Sequence, residues 1–147
     1  MPPSGKCVIS CWRDSGEKRV LTASEQGVTV APPGAADEQT FSLVPGPDST
    51  VAIQIPAFIF PSRSLSYKES EKGERVILGP LSDFPTREWE VEPAPQQSSP
   101  QPYFLRVPGK DLMAVVSPKA IFPPELELVP FNTDLENAWT IFPVFQD

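Results

Sequence analysis

Apolar and polar residues alternate in short runs that end in proline, and the same pair of runs recurs three times along the chain. Val28-Thr29-Val30-Ala31-Pro32 returns as Val76-Ile77-Leu78-Gly79-Pro80 and again as Leu126-Glu127-Leu128-Val129-Pro130. Each copy is followed by a second run: Phe41-Ser42-Leu43-Val44-Pro45, Trp89-Glu90-Val91-Glu92-Pro93 and Trp139-Thr140-Ile141-Phe142-Pro143. The two prolines lie 13 residues apart in every copy, and successive copies are offset by 48 and 50 residues. Alternation with period two predicts strands, and a fixed spacing predicts a repeated structural unit. No stretch carries a sustained helical period with caps.

Taking the repeat as the frame, four strands fall in each copy. They are 6–12, 19–23, 27–31 and 40–44, then 50–55, 64–68, 74–78 and 87–92, then 102–107, 112–116, 125–129 and 138–142. Twelve strands in three pseudo-repeats define an all-β chain of the β-trefoil class, with a six-stranded barrel and a cap of three hairpins. Residues 1–147 form a single domain, with repeats at about 6–47, 48–95 and 100–147. A sandwich gives no reason for a threefold repeat. The alternation turns Phe41, Leu43, Trp89, Val91, Trp139 and Ile141 inward. Prolines close the strands because proline cannot donate to a ladder. The recurring aromatic is read as core rather than as a ligand-stacking residue, since it is flanked by alternating aliphatics.

Composition then narrows the function. The chain has 39% hydrophobic and 21% charged residues, the balance of a soluble globular protein. Its 20 prolines among 147 residues are spread over strand ends and loops, which suits stiffened connections in a folded domain. A net charge of −7 argues against a nucleic-acid partner, which requires Lys and Arg against phosphate. No apolar run approaches the ~18 residues of a membrane span, and no secretory signal is visible behind Met1, so a cytoplasmic protein without membrane association is expected.

Chemistry is mostly excluded. There is no histidine, which removes Ser-His-Asp and Cys-His catalysis and nearly all catalytic zinc sites. No phosphate loop or dinucleotide fingerprint occurs. No cofactor or metal is implied, and an enzyme is not expected. Cys7 and Cys11 share a predicted strand, about 13 Å apart at ~3.3 Å per residue, too far for a disulfide. They are read as buried thiols.

Two proline-stiffened loops offer themselves to a protein partner. Ser117-Pro118-Lys119-Ala120-Ile121-Phe122-Pro123-Pro124 brackets Lys119 with prolines, and Lys119-Ala120 is the bond it would present to a trypsin-like protease. Pro56-Ala57-Phe58-Ile59-Phe60-Pro61-Ser62-Arg63-Ser64 offers Arg63-Ser64 in the same way, or an apolar Phe. Stiffness lowers the ordering cost of entering a protease cleft.

The run Glu88-Trp89-Glu90-Val91-Glu92-Pro93, followed by Tyr103-Phe104-Leu105, and the closing Asn137-Ala138-Trp139-Thr140-Ile141 resemble the β-trefoil protease inhibitors of mushrooms, and among them the serine-protease-inhibiting mycospins. The resemblance implies a fungal, non-enzymatic inhibitor that acts by loop insertion on a protease. The family's reactive loop joins the second and third strands, where this chain has Ser24-Glu25-Gln26-Gly27 and no Lys or Arg. The alternative is a carbohydrate-binding lectin. Ricin-type lectins carry Gln-x-Trp in each repeat, and the corresponding triplets here are Gln39-Thr40-Phe41, Arg87-Glu88-Trp89 and Asn137-Ala138-Trp139.

Overall fold

The computed structural model describes residues 5–12, 18–24, 27–34, 39–46, 50–55, 64–79, 88–95, 101–117, 124–133 and 137–144. These hold twelve strands: β1 (Gly5–Trp12), β2 (Lys18–Ser24), β3 (Gly27–Ala31), β4 (Phe41–Pro45), β5 (Thr50–Gln54), β6 (Ser64–Ser66), β7 (Ile77–Gly79), β8 (Trp89–Pro93), β9 (Pro102–Arg106), β10 (Leu112–Val116), β11 (Leu126–Pro130) and β12 (Trp139–Pro143). Each overlaps one strand read from the repeat.

Six of them close a barrel. β1 pairs with β4, β4 with β5, β5 with β8, β8 with β9, β9 with β12, and β12 returns to β1, all antiparallel. The other six form the hairpins β2–β3, β6–β7 and β10–β11. Each hairpin hangs on the first strand of its own repeat, β1, β5 or β9. A closed barrel leaves no barrel strand with an open edge, and the hairpins build the cap of a β-trefoil.

The registers make the threefold relation exact to the residue. Cys7 lies opposite Phe41, Val51 opposite Trp89 and Tyr103 opposite Trp139. Two residues on, Ile9 lies opposite Ile141, Ile53 opposite Leu43 and Leu105 opposite Val91. These pairs stack two layers inside the barrel, where Phe41, Trp89, Ile9, Ile53 and Leu105 have no exposed surface. Burying side chains of this size is worth about 2 kcal/mol or more each. Cys7 and Cys11 are buried and unbridged.

The observed bounds differ from the expected ones in instructive places. Pro45, Pro93, Pro130 and Pro143 are the last residues inside their strands, opposite Val51, Tyr103, Leu112 and Cys7. At a final position the missing N–H leaves the preceding ladder intact. The strand expected at 74–78 is Ile77–Gly79 alone, because its first half is diverted. Gly73 N–H donates to Leu128 O (2.7 Å), Val76 N–H to Leu126 O (2.9 Å), and Leu128 N–H to Glu74 O (2.9 Å). Segment 73–76 thereby lies along β11 and ties the second hairpin to the third. Thr29 Oγ1 donates to Pro124 O at 2.5 Å, tying the first to the third as well.

Candidate functional site

Lys119, Ala120 and Arg63 lie outside the described residues. Ser64, the partner of Arg63, is the first residue of β6 and is 2% exposed. It stands opposite Gln54 and Gly79 in the sheet, and its buried Oγ has no hydrogen-bond partner. Only the flanks of the Lys119 loop are in view. Ser117 N–H donates to Glu125 O at 2.7 Å, closing the neck one step beyond the Val116–Leu126 pair. With Thr29 Oγ1 on Pro124 O, both ends of the loop are fixed.

The aromatic positions are structural. Trp89 Nε1 donates to Leu65 O and Trp139 Nε1 to Ala114 O, both at 3.1 Å and both buried. Neither ring offers a face to a ligand. Gln39, the glutamine of the first triplet, is spent on its own turn: its Nε2 donates to Pro32 O (2.9 Å) and Thr22 Oγ1 (3.2 Å), and its Oε1 accepts from Gly34 N–H (3.0 Å). Asn137 holds the equivalent place in the third repeat. Its Nδ2 donates to Asn132 Oδ1 at 3.0 Å, and Asn132 stands two residues past Pro130 as Gly34 stands past Pro32.

A different constellation emerges on the outside of the third repeat. The chain turns from β9 into β10 through Val107-Pro108-Gly109-Lys110, with Lys110 N–H on Val107 O at 3.2 Å. Proline sets the second position of that turn, and Gly109, with φ of 72°, supplies the left-handed third. The turn delivers the exposed Asp111 to the start of β10. Phe131 N–H donates to Asp111 O at 3.0 Å, so Asp111 and Phe131 face each other one position beyond the Leu112–Pro130 pair. Asn132 follows directly and brings Asn137 with it.

Phe131 is half-buried and firmly held. The Arg106 guanidinium sits 4.1 Å from its ring centroid, and Phe104 meets it at 5.4 Å with an interplanar angle of 87°. Arg106 is itself fixed by Glu92, Nη1 to Oε1 at 2.9 Å. Beneath them lies a second apolar cluster, separate from the barrel core, formed by Ala94, Phe104, Met113, Val115 and Ala138 with Val129 and Phe131 against it. The backbone of Asp111 is thus bonded to that of Phe131, the bonded pair Asn132 and Asn137 follows directly, and the Phe131 ring rests on the second apolar cluster. The triplet Asn137-Ala138-Trp139 pointed to one member of this group. Asp111 and Phe131 carry no local signal, since only the β10–β11 register brings them together. Among the described residues no group of three His, Cys, Asp or Glu side chains gathers to hold a metal ion.

No protein-family model and no curated protein matches the chain. Solved structures do. A Macrolepiota procera ricin B-like lectin in complex with lactose superposes with a TM-score of 0.73 at 15% identity, over 97% of this chain and 98% of that one. A designed 3-fold symmetric protein, ThreeFoil, gives 0.73 at 14% identity over 95% and 99%. The exo-beta-1,3-galactanase 1,3Gal43A from Clostridium thermocellum gives 0.71 at 12% identity, with 98% of this chain on 31% of that one. Likeness at such identities establishes the fold, and the fold is a β-trefoil.

Proposed function

We propose that the chain is a carbohydrate-binding β-trefoil protein, with its sugar-facing surface at Asp111, Phe131, Asn132 and Asn137. The observation that carries this reading is the backbone bond that sets exposed Asp111 beside Phe131, with the amide pair Asn132–Asn137 next along the chain of the third repeat. A pyranose presents apolar C–H groups beside hydroxyls that both donate and accept. An aromatic ring serves the first, and carboxylate and amide groups serve the second. The lactose complex of the Macrolepiota lectin, matched over nearly the whole of both chains, supports the same reading. A glycan array tests it: saturable binding to a defined group of glycans is expected, and no binding to any of them overturns it.

Protease inhibition is the second reading, and the fixed neck at Ser117–Glu125 and Thr29–Pro124 favours it. In this reading Lys119-Ala120 is offered to a trypsin-like protease. Arg63-Ser64 is the weaker choice, because Ser64 is buried in β6. Titration of trypsin to equilibrium decides it: loss of activity at near one-to-one ratio, abolished by Lys119→Ala, is the expected result. The two unbridged thiols support a reducing, cytoplasmic setting for either activity.

A further inference from the structure

The threefold registers allow every residue of the third-repeat face to be compared with its counterparts. Arg106–Met113–Val129 corresponds to Ser10–Val20–Ala31 and to Gln54–Ser64–Gly79. By the same count Phe104 matches Val8 and Ala52, and Ala138 matches Thr40 and Glu88. The apolar floor under Phe131 is thus bulkiest in the third repeat; the first has the smaller apolar Val8, Val20 and Ala31 there. Where the third has Phe104, Met113 and Val129, the second has Ala52, Ser64 and Gly79.

The polar groups above these positions differ in all three repeats. Counted along the chain, Asp111 corresponds to Lys18 and Ser62, Phe131 to Pro33 and Leu81, and Asn132 to Gly34 and Ser82. Asn137 corresponds to Gln39 and Arg87. Neither other repeat combines a carboxylate with an aromatic. In the first, Gln39 already bonds Pro32 O, Gly34 N–H and Thr22 Oγ1. At these four counted positions the third repeat alone has a carboxylate, an aromatic and two amides.

The charges on that face select the ligand. Asp111 is exposed, and Glu90 and Glu92 lie on the neighbouring strand opposite Arg106 and Phe104. The positive charge of Arg106 is already committed to Glu92 and to the Phe131 ring. Exposed Lys110 is balanced by Asp111 beside it, and the chain as a whole carries −7. A carboxylated or sialylated sugar meets net repulsion here, whereas a neutral one can donate its hydroxyls to Asp111.

We infer that the protein holds a single glycan site, on the third repeat alone, and that this site takes neutral sugars. This rests on the carbohydrate reading. The test is calorimetric titration with lactose, cellobiose, maltose, chitobiose and mannobiose as neutral probes, and sialyllactose and glucuronate as anionic ones. One neutral probe is expected to bind with a stoichiometry near one, and the protein is not expected to agglutinate cells or vesicles bearing it. Asp111→Ala and Phe131→Leu should each weaken binding at least tenfold without shifting the thermal midpoint by more than a few degrees. Lys18→Ala and Ser62→Ala, at the equivalent places, should leave it unchanged. A stoichiometry of two or three, undiminished binding by Asp111→Ala, or preference for an anionic probe overturns the inference while leaving sugar binding intact. Binding of no probe, on the array or in solution, removes the carbohydrate reading itself and this inference with it.

Discussion

Trp139 donates its indole N–H to the carbonyl of Ala114, 25 residues earlier, and Trp89 does the same to Leu65, 24 residues earlier. Each bond ties the fourth strand of a repeat to the hairpin of that repeat. The first repeat has Phe41 in this place, fully buried in the same core cluster as Leu21. Replacing either tryptophan by phenylalanine removes a donor from a buried carbonyl and leaves a small void. Each change should cost about 2–4 kcal/mol, read by urea unfolding. A cost well under 1 kcal/mol at both sites contradicts this account of the bonds.

Gly46 sits against Glu88. A Cβ there meets Glu88 Oε2 at 2.8 Å and Thr50 Oγ1 at 3.0 Å, while Thr50 Oγ1 donates to that same oxygen at 2.5 Å. Gly46→Ala must therefore displace the carboxylate and break its hydrogen bond, at a cost of about 1–2 kcal/mol. In Glu88→Ala protein the same substitution should cost much less. A double-mutant cycle measures the coupling; simple additivity of the two changes speaks against the contact.

Burial pushes the Cys7 thiol up from 9.0 to about 12. In the folded protein it stays protonated and should resist alkylation at pH 8, while urea should expose both thiols to the reagent. The raised value also fixes the sign of a stability change. Between about pH 9 and 12 the unfolded chain loses this proton before the folded one does, so the Cys7 contribution falls as pH rises. Cys7→Ala should flatten that part of the stability curve, measured by urea unfolding at pH 8, 9 and 10.

The Arg106 cluster separates packing from charge. Glu92 is 40% exposed at the side chain, so its ion pair with Arg106 is screened by water. Glu92→Gln should cost under about 1 kcal/mol. Phe104 is fully buried beneath Phe131, and Phe104→Ala should cost about 3–5 kcal/mol. Thermal unfolding of the two variants ranks them, and equal losses would place the cluster's stability in the ion pair instead.

The scaffold was legible because its signal is local and repeated. Alternating runs closed by proline marked six strands, the repeat frame placed the other six, and inward Phe41, Trp89 and Trp139 marked a layer of the barrel. The diversion of segment 73–76 onto β11 leaves no local signal, since it depends on a neighbour in another repeat. The candidate site was hidden for a similar reason. Phe104, Met113 and Phe131 are scattered over three segments: Phe104 and Met113 lie inside continuous apolar runs, where they read as ordinary core, and Phe131 follows the end of β11. They stand out only when registers align each with its smaller counterpart in the other repeats. Cysteine pairing, by contrast, followed from strand rise alone.

Sugar binding is the central claim, and saturation-transfer NMR tests it most directly. Protein resonances are irradiated in the presence of excess neutral disaccharides, and the sugar signals are compared for the natural chain and Asp111→Ala. The account predicts transfer to the ring protons of at least one neutral disaccharide, lost in the variant. Absence of transfer to every sugar tried, with the protein folded, would contradict it.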